Sequence, residues 1–278
     1  MELCLNTASY LSYLRLEKLI PHVAKMGFDC VEVIGERPHG WPLDYDRDSR
    51  KTLLSICRKE NVRIASFCTG FGYFIQTGLA DERIDVRNES RDYVRSLIAL
   101  TNDLEGDFTM IVPGRVLVGE DIESGWKNAI TEITELNDYA HDLGVKLAFE
   151  NMLTPSELAY NPDTIMRLVK GLGNEGIGLT LDVGHLNVMG IPLSAFLETM
   201  KDSIVNVHIS DNDGSNDSHG PIGSGNIDFK RVVDDLKRSG YDGLLTFEIV
   251  SSWRWDIGDA DRAVSASREY LNGILESP

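Results

Sequence analysis

Short apolar runs recur along the chain at regular spacing, and each is followed by a longer stretch whose apolar positions return every three or four residues. Runs of Val, Ile, Leu and Phe bounded by turn residues predict buried strands, and the longer spacing predicts amphipathic helices. Strands are expected at 3–6, 30–35, 63–68, 107–112, 145–150, 177–182, 204–209 and 243–248. Between them Leu16, Leu19, Ile20 and Val23 share one helical face, as do Ile130, Ile133, Leu136, Tyr139 and Ala140. Gly27, Gly144, Gly173 and Gly240 stand where helices should end, just before the next strand.

Eight strand-helix units without a linker, a low-complexity tract or a repeat predict an α/β fold, a (β/α)8 TIM barrel in which residues 1–278 form a single domain. A doubly wound open sheet is the alternative. Polar residues bear on the choice, because Glu32, Glu150, Asp182, His208 and Glu248 all stand at or near C-terminal strand ends. In a barrel those ends converge on one face, where the βα loops build active sites. In an open sheet they spread along an edge.

The stretch Leu-Thr-Leu-Asp-Val-Gly-His (179–185) starts as a core strand yet ends on Asp182 and His185. Burying an unpartnered charge is costly, so such a pair needs neutralising partners or a metal. Glu150, Asp182, His208 and Glu248 occupy equivalent places on the fifth to eighth strands, so four adjacent strands deliver one ligand each to one point. Three carboxylates and an imidazole suit a divalent cation that prefers oxygen, such as Mn²⁺, Mg²⁺ or Co²⁺. His185, three residues beyond Asp182, would sit just above that ion, bonded either to a substrate oxygen or to backbone.

Composition narrows the partners. With 42% hydrophobic and 26% charged residues the chain is of ordinary globular type. A formal net charge of −17 disfavours a nucleic-acid partner and leaves a small neutral or metal-chelating ligand. No run approaches the ~20 apolar residues of a membrane span, and the opening Met-Glu-Leu-Cys-Leu-Asn lacks the features of a signal peptide, so no membrane partner and a cytoplasmic location are expected. Cys4, Cys30, Cys57 and Cys68 have no CxxC spacing and read as reduced thiols; Cys68, ending the third strand, is expected as a small apolar wall of the pocket.

Leu-Ala-Phe-Glu-Asn (147–151), Asp-Val-Gly-His (182–185), His-Ile-Ser-Asp (208–211) and Thr-Phe-Glu (246–248) together resemble the xylose isomerase-like barrel superfamily of sugar isomerases, ketose 3-epimerases and apurinic-site endonucleases. The resemblance spans essentially the whole chain, with its most specific motifs between 146 and 250. Gly-Glu-Arg-Pro-His (35–39), Asp-Ser-His-Gly-Pro-Ile-Gly-Ser-Gly (217–225) and Thr-Phe-Glu-Ile-Val (246–250) resemble the ketose 3-epimerase branch, its fructoselysine 3-epimerase-like members above all. That branch implies Glu150, Asp182, His208 and Glu248 as ligands of one metal ion, Mn²⁺ first, then Mg²⁺ or Co²⁺, with Zn²⁺ behind them. It also implies Glu150 and Glu248 as the groups that move protons, His185 as a substrate-binding residue, a sugar as substrate, and a homo-oligomer, a dimer or tetramer.

The implied chemistry suits the residues. A cation that polarises a ketose C2 carbonyl stabilises the enediolate formed when C3 loses its proton, and inverting C3 needs a base on each face. Two glutamates from opposite sides of the ion meet that need if each keeps one oxygen free. Asp211, Asp217 and His219 form a second polar group after the seventh strand. Free-ketose epimerases often carry an arginine six residues after the metal histidine; Gly214 stands there instead, and the Asp-x-His of residues 217–219 is the variant of the fructoselysine-like branch. The Gly-Ser-Gly turn at 223–225 reads either as an anion cradle beside a helix start or as a flexible loop. Glu32, Arg37 and His39 are expected at the far end of the substrate, as are Trp253 and Arg254, with subunit contact as the alternative.

Three rivals differ in what they require. An apurinic-site endonuclease with three zinc ions implies histidines at the third and fourth strand ends, which read Phe67-Cys68-Thr69 and Val112-Pro113-Gly114. An inosose or keto-glycoside dehydratase or isomerase would use the same metal and the same enolisation. A non-catalytic sugar-binding protein predicts loss of a ligand or proton-transfer residue, and all four are present.

Overall fold

Each expected strand forms within one residue of its predicted ends. The structure, a computed structural model, describes residues 1–70, 78–154, 157–173, 176–250 and 256–276. Strands β1 (Glu2–Asn6), β2 (Cys30–Ile34), β3 (Arg63–Cys68), β4 (Phe108–Ile111), β5 (Lys146–Glu150), β6 (Gly178–Asp182), β7 (Ile204–Ile209) and β8 (Leu244–Phe247) pair in parallel in chain order. β1 bonds to β2 on one side and to β8 on the other, where Cys4 faces Thr246 and Leu5 faces Phe247. That last pairing closes the barrel and removes the open-sheet alternative.

Helices α1 (Leu16–Lys25), α2 (Arg47–Glu60), α3 (Ile84–Asp103), α4 (Ile122–Asp142), α5 (Pro162–Gly171), α6 (Val183–Met189), α7 (Leu193–Met200), α8 (Phe229–Ser239) and α9 (Ile257–Leu275) alternate with the strands, with α6 and α7 both between β6 and β7. The periodic face of α1 is the one it buries, through Leu16, Leu19, Ile20 and Val23. In α4 the buried face includes Ile133, Leu136 and Ala140, with Ile130 and Tyr139 packed at its margin. Gly240 closes α8 in the left-handed region at φ +85, which glycine adopts without penalty. Among the described residues no helix is long and apolar enough to cross a membrane.

Strand side chains alternate between two environments. Leu5, Val31, Val33, Phe67, Ile111, Phe149, Leu181, Val207 and Phe247 belong to the large core shared with the helices. Cys4, Cys30, Ile34, Cys68, Phe108, Met110, Ala148 and Leu244 form a separate small cluster from the opposite strand faces, the barrel interior. Buried polar residues share that interior: Asn6, Glu32, Ser66, Glu150, Asp182, Asn206, His208 and Thr246. Glu32 on β2 touches His208 on β7, strands that are not neighbours, so the contact runs across the barrel.

Candidate active site

The last residues of β5 and β6, the fifth residue of β7 and the residue after β8 bring Glu150, Asp182, His208 and Glu248 together. Each offers one atom to a group in which all lie within 4.8 Å of one another. Bonds of about 2.0–2.4 Å to opposite sides of one ion set ligand atoms no more than about 4–5 Å apart, so the spread fits a single divalent cation. His208 Nδ1 is the centre of the group, 2.7 Å from Glu150 Oε1, 3.1 Å from Glu248 Oε2 and 4.0 Å from Asp182 Oδ2.

Asp182 does two things at once. It is the N-cap of α6, where its Oδ1 accepts the His185 N–H at 2.8 Å, and that bond explains the three-residue spacing to His185. Its Oδ2 is left buried with no hydrogen-bond donor, as are Glu248 Oε2 and Asp217 Oδ1. Among the described residues these three are the buried carboxylate oxygens without a donor, and all belong to this site. The Nδ1 proton of His208 goes to Glu150 at 2.7 Å, which leaves Glu248 Oε2 unserved. An orphaned buried carboxylate oxygen is strongly unfavourable, so the donor set fits an ion or ligand hydroxyls supplied from outside.

The ionisation pattern has the same cause. Burial raises Asp182 above the ordinary carboxylate range, and the charges of Glu248 and Asp217 add to it, against the attraction of His185. Burial alone would push His208 down, but the carboxylates of Glu32, Glu248 and Glu150 outweigh it and hold the imidazole well above its usual value. Burial would likewise lift Glu32, yet the His208 charge and bonds from His208, Ser66 and Asn6 bring it below its usual value.

His185, Asp217 and His219 form the second group, with one atom from each within the same 4.8 Å. His185 Nδ1–H donates to the Asn151 carbonyl at 2.7 Å, which turns Nε2 to Asp217 Oδ2 at 3.2 Å. His219 Nε2 is 2.8 Å from the same oxygen, and its Nδ1 is 3.6 Å from Glu248 Oε2. Against the burial that would raise it, the two imidazoles hold Asp217 well below the usual range. Burial would lower His219, but Glu248 and Asp217 raise it to about 9. His219 also holds a left-handed backbone at φ +42, uncommon outside glycine and costly unless the surroundings enforce it.

The other expected contacts have different partners. Asp211 accepts main-chain N–H bonds from Asn212 and Ile227 on one oxygen and from Gly223 and Gly225 on the other, at 2.9–3.2 Å. The Gly-Ser-Gly turn therefore does cradle an anion, and the anion is Asp211 itself. A Cβ at Gly225 would lie 2.4 Å from Asp211 Oδ1, so only glycine fits that wrap. Glu32, expected beside the substrate, lies in the middle of β2 and is 0% exposed beneath the cluster of Glu150, Asp182, His208 and Glu248. Arg37 is exposed and forks onto Asp44 at 2.7 and 2.8 Å. His39 is buried, with Nε2–H on the Leu14 carbonyl at 2.8 Å, and burial lowers it to about 4. Cys68 is buried, accepts from Asn6 at 3.5 Å, and is kept a neutral thiol by burial and by the negative Glu32 and Glu248. Trp253 and Arg254 lie outside the described residues.

Asn151 escaped the sequence reading as a functional residue. Its Oδ1 accepts the Asp182 N–H at 2.7 Å, its Nδ2 donates to the Asp182 carbonyl at 3.3 Å, and its own carbonyl holds His185. The signal lies in the Glu-Asn pair formed by the last residue of β5 and the residue after it.

A family model described as a xylose isomerase-like TIM barrel matches residues 20–273. The chain is 24% identical over 243 residues to the fructoselysine 3-epimerase of Shigella flexneri, covering 86% of this chain and 87% of that protein. It is 27% identical over 263 residues to the L-ribulose-5-phosphate 3-epimerase of Salmonella heidelberg, covering 91% and 87%. The crystal structure of a D-tagatose 3-epimerase-like protein superposes with a TM-score of 0.84 at 25% identity over 99% of each chain.

Proposed function

The chain belongs to the xylose isomerase-like TIM barrel family, and from that premise we propose that it is a divalent-metal-dependent epimerase that inverts C3 of a ketose or ketose derivative. The observation that carries this reading is the cluster of Glu150, Asp182, His208 and Glu248, two of whose carboxylate oxygens are buried without donors. Relatives that act as 3-epimerases on fructoselysine and on L-ribulose 5-phosphate support the reaction class. These four residues would hold the ion, with Mn²⁺ first and Mg²⁺ or Co²⁺ as substitutes. Once bound, the cation would polarise the C2 carbonyl and stabilise the negative charge that develops as C3 loses its proton.

The protons belong to the protein. β5 and β8 are separated by two strands round the barrel, so Glu150 and Glu248 reach the site from different sides. One glutamate takes the C3 proton, the C3–H electron pair forms the C2–C3 double bond of the enediolate, and the other glutamate delivers a proton to the opposite face of C3. The two carboxyls exchange protonation states in each turnover and are reset by exchange with water. Asp217 Oδ1, a buried acceptor without a donor, would take a substrate hydroxyl, and His185 and His219 would donate to substrate oxygens beside it. The same reading has the protein cytoplasmic and a dimer or tetramer.

The test is exchange in D₂O. Mn²⁺-loaded protein is incubated with fructose, psicose, tagatose and fructoselysine, and C3 deuteration and epimer formation are followed by NMR. Deuterium at C3 together with the new epimer is expected for one of them. Metal binding without exchange at C3 of any would overturn the 3-epimerase reading and turn the search to cyclic ketones.

A further inference from the structure

Beneath the candidate metal group lies a buried polar belt that the proposed reaction does not use. Glu32 is its centre, 0% exposed on the inner face of β2. Its Oε1 accepts from Asn6 Nδ2 at 2.9 Å and pairs with His208 Nε2 at 2.7 Å. Its Oε2 accepts from Ser66 Oγ at 2.7 Å and from Asn206 Nδ2 at 3.3 Å. The donors are themselves fixed: the Ala8 N–H bonds Asn6 Oδ1 at 2.8 Å, and Thr246 Oγ–H bonds Asn206 Oδ1 at 2.7 Å. Five strands, β1, β2, β3, β7 and β8, contribute to holding one carboxylate.

Stability does not account for such a belt. Taking a carboxylate out of water costs several kcal/mol, and well-packed apolar residues in place of a buried ion pair are often neutral or stabilising. What the belt achieves is directional. A carboxylate can only accept, so the His208 nitrogen that faces Glu32 must carry a proton. The other nitrogen, Nδ1, is the one aimed at Glu150, Asp182 and Glu248, so its proton, which goes to Glu150 in the ion-free protein, is the one a bound cation would displace. The ring cannot turn over without breaking the bond to Glu32 and facing Nε2 into the acidic group.

We infer that Glu32 is a positioning residue of the metal centre: its buried carboxylate fixes His208 in the Nε2–H tautomer and orients Nδ1 as a ligand from across the barrel. The inference rests on the reading that Glu150, Asp182, His208 and Glu248 hold a divalent ion. Glu32 itself stands outside that group of four, and both its oxygens are taken up by Asn6, His208, Ser66 and Asn206. Carboxylate partners of this kind orient a ligating imidazole and strengthen it as a donor, and their loss weakens metal binding about 10–100-fold.

The test is a titration of metal-free protein with Mn²⁺, following the free ion by electron paramagnetic resonance. Glu32→Gln keeps the shape and an acceptor oxygen but lowers the charge; its Kd for Mn²⁺ is expected to rise about 10–100-fold. Ser66→Ala removes one bond to Glu32 while sparing the contact with His208, and its Kd is expected to stay within a few-fold of wild type. The visible spectrum of the Co²⁺-loaded Glu32→Gln protein should also differ from that of the wild type, which lost stability alone would not cause. An unchanged Kd and an unchanged Co²⁺ spectrum in a folded Glu32→Gln protein would overturn the inference. Should that variant not fold, nitrogen NMR of Zn²⁺-loaded wild-type protein decides it: a proton on His208 Nε2 and the metal on Nδ1 support the assignment, and the reverse sinks it. A wild type that binds no Mn²⁺ would instead bring down the metal reading on which all of this stands.

Discussion

The two halves of the barrel interior bury the same functional group and leave it in opposite conditions. In the half built by β1 to β4, Glu32 receives donors on both oxygens, from Asn6, His208, Ser66 and Asn206. In the half built by β5 to β8 and their loops, Asp182 Oδ2, Glu248 Oε2 and Asp217 Oδ1 are buried with none. A carboxylate whose bonds are complete within the chain has nothing left to offer a ligand and can act only by holding another group. One whose bonds are incomplete is stable only when something from outside completes them. Burial does not separate these roles, since Glu32 and Asp182 are both 0% exposed. Hydrogen-bond accounting does.

If chemistry belongs to the incomplete half, the largest effects must fall there. Glu150→Gln and Glu248→Gln should each lower C3 exchange by at least about 10²–10⁴-fold, the usual contribution of a positioned acid or base. Unfolding temperatures should stay near that of the wild type, because either change relieves repulsion in a crowded acidic group. Wild-type-like exchange in either variant would remove the two-base mechanism. A smaller loss is expected from Asp211→Asn, which touches the completed kind of carboxylate. The amide replaces one acceptor oxygen with a donor that faces main-chain N–H groups, at a cost of about 1–3 kcal/mol. The loop that carries Asp217 and His219 loses its anchor, so KM for the ketose should rise while Kd for Mn²⁺ stays put. An unaltered unfolding temperature and KM would mean that the Asp211 wrap is dispensable.

The same distinction marks how far the sequence could be read. Strand ends were legible because apolar runs and helical spacing alternated through all eight units, with glycine stops in four of them, and the grouping of Glu150, Asp182, His208 and Glu248 followed from equivalent positions on adjacent strands. Depth was not legible. Alternation along β2 says which face Glu32 occupies, but its level relative to His208 depends on the stagger of strands round the barrel, which no local pattern encodes. Asp211 and Asp217 are one residue type in one loop, and only the folded path of residues 212–227 shows that main-chain N–H groups take the first and leave an oxygen of the second free. Arg37 and His39 belong to a motif that resembles the ketose 3-epimerase branch, yet Asp44 and the Leu14 carbonyl hold their polar atoms.

His39 sets the smallest effect and tests the reasoning from the other half of the molecule. Its Nδ1 is buried without a partner, like the orphaned oxygens of the site, but the ring, in the loop after β2, is held by the Leu14 carbonyl from the loop after β1. Here the incomplete group has a simple consequence, because burial lowers the imidazole from 6.5 to about 4. Above pH 6.5 both folded and unfolded chains carry it neutral and it contributes no pH dependence. As the pH falls below that value the unfolded chain takes up a proton that the folded chain refuses, so stability declines until about pH 4, where the folded form protonates too. The total loss is at most about 3 kcal/mol, the free-energy equivalent of the shift. His39→Gln can still donate to the Leu14 carbonyl and cannot ionise, so its unfolding free energy should fall less steeply than that of the wild type between pH 6.5 and 4. Parallel curves for the two proteins would mean that the ring is charged in the fold, with a partner for Nδ1 supplied from solvent, and an orphaned buried atom in the first half would then need an outside ligand as much as those in the second.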